Sequence, residues 1–215
     1  MVGLTFATGV ADALGVLALG GAFSSVMTGN MVLLGLSAGT LDAQLAISSS
    51  SAIGAYIVGV LVGSRVAGVP DSSDPVWPRQ VTWALSVELV AISGFLIYWE
   101  ALLEGGFDDS AQLLMLMVLA AALGIQGSAV QRFGVPGLSS TYLTGTLTGL
   151  IAGVATRRPW LSLLPSAKLL VALIAGSCVG AAVIVHIPRL APIVLVVPLA
   201  TVMIGGLSLR ERRRD

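Results

Sequence analysis

The sequence predicts an all-α integral membrane protein with an internal two-fold repeat of helical units, and three observations carry that prediction. First, 56% of the 215 residues are hydrophobic and only 10% are charged, against about 25% charged in soluble domains. The mean hydropathy of +0.96 agrees. So few charges cannot coat a water-soluble globule of this length, which excludes a soluble enzyme. Second, the apolar residues fall into stretches of membrane-spanning length, parted by short polar interruptions. Third, glycine-centred motifs of the first half recur in order in the second. The formal net charge is zero, so no nucleic-acid partner is expected. One cysteine, Cys178, and one histidine, His186, rule out an internal disulfide and a cysteine- or histidine-rich metal centre, and no cofactor is expected.

Apolar segments run over 4–20, 22–39, 43–66, 82–101, 111–131, 139–156, 167–187 and 190–209. They divide into a first membrane unit, 1–103, an acidic linker, 104–110, a second unit, 111–209, and a basic tail, 210–215. The start, Met1-Val2-Gly3-Leu4, lacks a basic n-region, so the first segment is expected to be retained rather than cleaved. The stretch from Pro70 to Arg79 holds three prolines with Asp71 and Asp74 and reads as a solvated loop. Trp77, Trp83, Trp99 and Trp160 fall near segment ends, and Trp99 beside Tyr98 is expected to anchor at the headgroup layer.

The stretch from Leu4 to Leu41 is too long for one helix across a bilayer: it would span roughly 55 Å against a hydrocarbon core of about 30 Å. It must fold back or break, and Gly20-Gly21 and Thr28-Gly29-Asn30 are the expected places. Gly134-Val135-Pro136-Gly137 and Thr144-Gly145-Thr146 are their counterparts. If each glycine-broken unit makes one net crossing, then Arg65, Arg79, Arg157, Arg158 and the arginines of the tail share one face. The acidic linker then lies on the other. The positive-inside rule favours this arrangement of six net crossings plus two half-helical pieces, with both termini cytoplasmic. Eight crossings, with every apolar segment spanning, is the alternative.

The halves match at an offset near 115 residues. Gly9-Val10-Ala11-Asp12 answers Gly124-Ile125-Gln126-Gly127, and Phe23-Ser24-Ser25 answers Leu138-Ser139-Ser140. After a one-residue slip, Met27-Thr28-Gly29-Asn30 answers Leu143-Thr144-Gly145-Thr146. Each unit is followed by a helix with glycines four apart, Gly59 and Gly63, then Gly176 and Gly180. An odd number of crossings per half makes such a repeat inverted, as in many transporters. These segments, Gly-Val-Ala-Asp-Ala at 9–13, Met-Thr-Gly-Asn at 27–30, Gly-Ile-Gln at 124–126 and Leu-Thr-Gly-Thr-Leu-Thr at 143–148, resemble the YoaK family of small bacterial membrane proteins over nearly the whole chain. The resemblance implies a multi-span protein of the bacterial inner membrane, loosely termed a permease, and supplies no substrate.

Two carboxyl groups, Asp12 and Glu88, lie inside apolar spans. An ionisable group at bilayer depth costs about 2.5–3.5 kcal/mol on insertion scales, so such groups face a cavity, pair, or carry a proton. Both are proton-coupling candidates, with Asp12 preferred because it sits in a repeat unit. The plainer reading of Asp12 is a cap on the broken segment or hydrogen bonds to serine and threonine neighbours across helices, and that of Glu88 is a protonated, structural hydrogen bond. Thr28, Gly29 and Asn30 with Thr144, Gly145 and Thr146 form the expected substrate-binding constellation, joined by Asp12, Gln126 and Ser128. Paired glycine-interrupted segments at matched positions point to a midplane site, and hydroxyl and amide groups there can bind a polar solute. Close helix packing is the competing explanation. Gly59, Gly63, Gly176 and Gly180 are expected at a helix contact or a homodimer interface. Arg132 is expected to snorkel to the interface, and the basic tail to meet anionic lipid.

The expected function is therefore a secondary transporter (permease) of a small polar solute, coupled to protons, with membrane lipid and a second copy of the chain as partners. A channel or passive facilitator with the same breaks, or a non-transporting scaffold, is the alternative. With one histidine, one cysteine and two intramembrane carboxyl groups, the inventory argues against an enzyme.

Overall fold

The computed structural model describes residues 1–71, 75, 77–133 and 143–211, with side chains to Ser208. Eight α-helices account for almost all of them, and no strand occurs among the described residues. They are α1 (Val2–Ala18), α2 (Met27–Thr40), α3 (Ala43–Ala67), α4 (Arg79–Leu102), α5 (Asp109–Gln131), α6 (Leu143–Ala155), α7 (Trp160–His186) and α8 (Ala191–Glu211). Five are long and apolar enough to cross a bilayer: α3, α4, α5, α7 and α8 with its short lead-in from Pro188. The other three, α1, α2 and α6, have 17, 14 and 13 residues.

Local chemistry sets the ends. Asp42 caps α3 by accepting from the Leu45 amide at 3.0 Å, and Asp108 caps α5 by accepting from Ala111 at 2.8 Å. Between α1 and α2 the chain turns at Gly20 (φ +91°) and Gly21 (φ +80°), backbone angles that a side chain would resist. The expected break at Thr28-Gly29-Asn30 is not one. These residues form the first turn of α2, and Thr144-Gly145-Thr146 likewise stands in the first turn of α6. The glycine pair upstream already supplies the reversal, so the threonine motif is left to start the next helix. The expected break at Gly134–Gly137 lies outside the described residues.

In lipid no hydrophobic force drives helices together, so association rests on close backbone approach and buried hydrogen bonds. Both are found here. A methyl group at Gly59 would overlap the Ala121 carbonyl, and one at Gly63 would stand 2.8 Å from the Ile125 Cα. The two contacts advance together by four residues, so α3 and α5 run parallel. Across the molecule a methyl group at Gly176 would overlap the Phe6 carbonyl and one at Gly180 would stand 3.0 Å from the Val10 Cα, so α7 and α1 are parallel too. Ser128 of α5 donates to the Val60 carbonyl at 3.1 Å, and Ser177 of α7 donates to the Gly9 carbonyl at 3.1 Å. The four glycines are buried in contacts between helices of one chain, so of the two roles expected of them the structure shows the helix contact and leaves no open glycine face for a homodimer. Their open faces are already filled by the chain's own helices.

Helix α5 is the most enclosed of the long helices. Helices α3 and α4 flank it, α1 lies between α7 and α8, and α4 meets α8. Short α2 rests on α3 and short α6 on α7, and these two make no extensive contact with each other. Trp77 beside the start of α4 packs where Gly206 of α8 has no side chain, while Trp99 near the end of α4 donates to the Pro188 carbonyl at 3.0 Å. Helices α4 and α8 are therefore antiparallel. Trp99 is 1% exposed and stacks with Phe95 and Phe107. It is an internal anchor, contrary to the expectation of a lipid-facing one, because its indole N–H finds a protein carbonyl. Trp83 and Trp160 are the exposed pair.

Candidate functional site

The site grows from three buried side chains on three helices. Glu88 of α4 has no exposed surface, and Gln126 of α5 and Thr8 of α1 are as deeply enclosed. The Gln126 amide nitrogen donates to Glu88 Oε1 at 2.7 Å. Its carbonyl oxygen stands 3.1 Å from the Thr8 hydroxyl, which can donate to it or to the Leu4 carbonyl at 3.0 Å. Glutamine fits this place because it offers a donor to the acid and an acceptor to the alcohol at once. The second carboxyl oxygen, Glu88 Oε2, is buried without a hydrogen-bond partner among the described residues. Buried polar atoms are nearly always paired, so an orphan asks for an explanation in function.

Asp12 is satisfied in full by comparison. Its Oδ1 accepts from the Ser25 amide at 2.8 Å and its Oδ2 from the Ser25 hydroxyl at 2.6 Å. One residue away, the Ser24 hydroxyl donates to the Ala11 carbonyl at 3.0 Å. Gly15 abuts the Ala22 carbonyl and Ser24, so residues 22–25 retrace the last turns of α1 before α2 begins. Asn30 holds the same segment from the other side: it accepts from the Phe23 amide at 2.8 Å and donates to the Phe23 carbonyl at 2.7 Å. Asp12 and Asn30 thus form a clasp on the returning strand of chain.

The remaining expected site residues do not join either group. Thr28, Thr144 and Gly145 are exposed on the first turns of α2 and α6, and Gly29 is half-buried against Phe23. Thr146 is buried on α6. Ser128 is engaged with Val60 and stands 3.2 Å from the Ser64 hydroxyl in the α3–α5 seam. Of the expected set, Gln126 meets a proton-coupling candidate, Glu88, through a hydrogen bond. Sequence reasoning missed Thr8, whose only signal is a hydroxyl one helical turn before Asp12, and Ser25, which lies 13 residues from its carboxylate. Arg132, expected at the interface, is 8% exposed and donates to the Ala67 carbonyl at 2.7 Å, closing the end of α3. Among the described residues no three histidine, cysteine or acidic side chains gather as a metal site.

Comparison with known proteins gives a family and leaves the chemistry open. The chain is 32% identical over 154 residues to the UPF0700 transmembrane protein YoaK of Bacillus subtilis (strain 168), an alignment that takes in 72% of this chain. The chain spans 65% of the length of that relative. No solved structure matches it. A family model described as "Protein of unknown function (DUF1275)" matches residues 1–205, and with five helices of membrane-spanning length and composition the chain belongs to that family, as a multi-pass membrane protein.

Proposed function

We propose that this chain is a proton-coupled carrier of a small polar solute, with Glu88 as the proton site and Gln126 and Thr8 as its partners. The observation that carries the reading is Oε2 of Glu88, a carboxyl oxygen buried in an apolar bundle and unpaired among the described residues. Ionisable groups in that setting are retained for ion and proton pathways. A proton arriving at Oε2 removes the charge that orients the Gln126 amide, and its departure restores it. The link from α4 through α5 to α1 then tightens and loosens with each cycle.

The packing supports two inverted repeats. Exchanging α1 with α5 and α3 with α7 carries the Gly59–Ala121 contact onto Gly176–Phe6, and Gly63–Ile125 onto Gly180–Val10. Helices α1, α3 and α4 supply three crossings in one half, α5, α7 and α8 three in the other, with α2 and α6 as re-entrant pieces. An odd count per half inverts the second relative to the first. In this arrangement Arg65, Arg79, Arg157 and Arg158 share one end of the bundle, which we assign to the cytoplasm of a bacterial inner membrane. Rocking of one repeat against the other about Glu88 gives access to each side in turn.

The test is reconstitution into vesicles carrying a pH-sensitive dye, with a panel of small polar solutes outside. Solute-driven proton movement that disappears in Glu88→Gln and persists in Asp12→Asn is the expected result. Solute entry with no proton movement points instead to a facilitator, and proton movement untouched by Glu88→Gln overturns the assignment of the site.

A further inference from the structure

The end of the molecule that gathers the arginines carries a second feature unrelated to Glu88. A cleft of about 690 Å³ opens along α1, α7 and α8, within the ~300–1,000 Å³ typical of ligand sites. Val2 and Phe6 of α1, Leu164 and Val171 of α7 and Pro198 of α8 form its walls, and nearly all its surface is apolar. A smaller cleft continues from it past Pro165 toward the start of α7. The two share Lys168, and neither contains an acidic side chain.

Lys168 is exposed and has neither a hydrogen bond nor an ion pair among the described residues. It lies eight residues into α7, roughly 12 Å along the axis, in a helix with no other basic residue before its last turn. A lysine in lipid without a counter-charge costs several kcal/mol unless its ammonium reaches the headgroup layer. The start of α7 offers that route, since Arg157 and Arg158 stand just before it and mark the boundary with water. A lipid-facing apolar trough beneath the Lys168 ammonium, with Met1 lining the cleft that continues from it, matches a phospholipid: acyl chain below, phosphate above. Basic pockets between membrane helices on the cytoplasmic side bind anionic headgroups in this manner.

We propose that the α1–α7–α8 cleft is a binding site for an anionic phospholipid of the surrounding bilayer, with one acyl chain along Phe6, Val171 and Pro198 and the phosphate at Lys168. The full-length protein is extracted from vesicles of equal phosphatidylglycerol and phosphatidylcholine, and native mass spectrometry counts the lipids that stay bound. The expected result is one retained lipid, enriched at least several-fold in phosphatidylglycerol. Lys168→Gln removes the enrichment, and Val171→Trp, which fills the trough from its exposed wall, lowers total retention. Arg189→Gln, at the opposite end, leaves both unchanged. Retained lipid that mirrors the vesicle composition, or enrichment that survives Lys168→Gln, overturns the proposal.

Discussion

Asp12 and Glu88 are both buried acids, and they differ in what their second oxygen does. Both oxygens of Asp12 accept from Ser25, whereas Glu88 leaves Oε2 without a partner among the described residues. Removing Asp12 strands a buried amide and a buried hydroxyl, a loss of about 1–3 kcal/mol. Asp12→Ala is therefore expected to lower the thermal unfolding midpoint in detergent, while Glu88→Gln, which keeps the size and the contact with Gln126, leaves it near the parent's. Asn30→Ala acts on the same clasp as Asp12→Ala, so the double variant is expected to lose less than the two single losses added together. Both acids were legible in the sequence as polar intruders in apolar spans. The plainer reading of Asp12, a cap on the broken segment, agrees with its bonds to Ser25. The pairing of Glu88 with Gln126 was not legible, because 38 residues part them and only tertiary packing brings them into reach.

At the scale of helices, glycine position decides between two opposite outcomes. Gly59 and Gly176 lie against the backbone of a neighbouring helix, so alanine there forces the pair apart at a cost of about 1–3 kcal/mol. Gly94 on α4 and Gly149 on α6 face open space. Alanine at those two sites is expected to hold stability or raise it by up to ~1 kcal/mol through helix propensity. Thermal unfolding of the four variants separates the classes. The cap of α5 makes a pH prediction. Hydrogen bonds from the Ala111 amide and the Ser110 hydroxyl hold the Asp108 carboxyl below its ordinary range. The cap's contribution is complete above the unfolded value and fades as pH falls through the lower folded one. Protection of the Ala111 amide against hydrogen exchange is expected to drop on acidification in the parent and to change little in Asp108→Asn, where a neutral cap replaces the charged one. Helix positions could be read from the sequence because hydropathy marks them directly. The threonine motif was misplaced because a glycine flanked by threonine signals a helix start as readily as a break, and the backbone angles that decide belong to Gly20 and Gly21.

For the whole molecule, the side of the membrane reached by Leu41 separates the two topologies. With six crossings, cysteines placed singly at Leu41 and Glu104 in a Cys178→Ser background label from one side and a cysteine at Arg157 labels from the other. With eight, all three label from the same side. Leu41 is 90% exposed, so the measurement perturbs little. The sequence carries no hint of the interleaving by which α1 packs against α7 and α5 against α3. That interleaving bears on how the protein is made. The hydrogen bond from Ser177 to Gly9 joins residues 168 positions apart. At ~5–20 residues per second, on the order of ten seconds of translation pass before α1 meets its partner. During that interval the ribosome has delivered a segment whose Gly9 groove has nothing to dock on. Helix α1 therefore completes its packing only after α7 has been made.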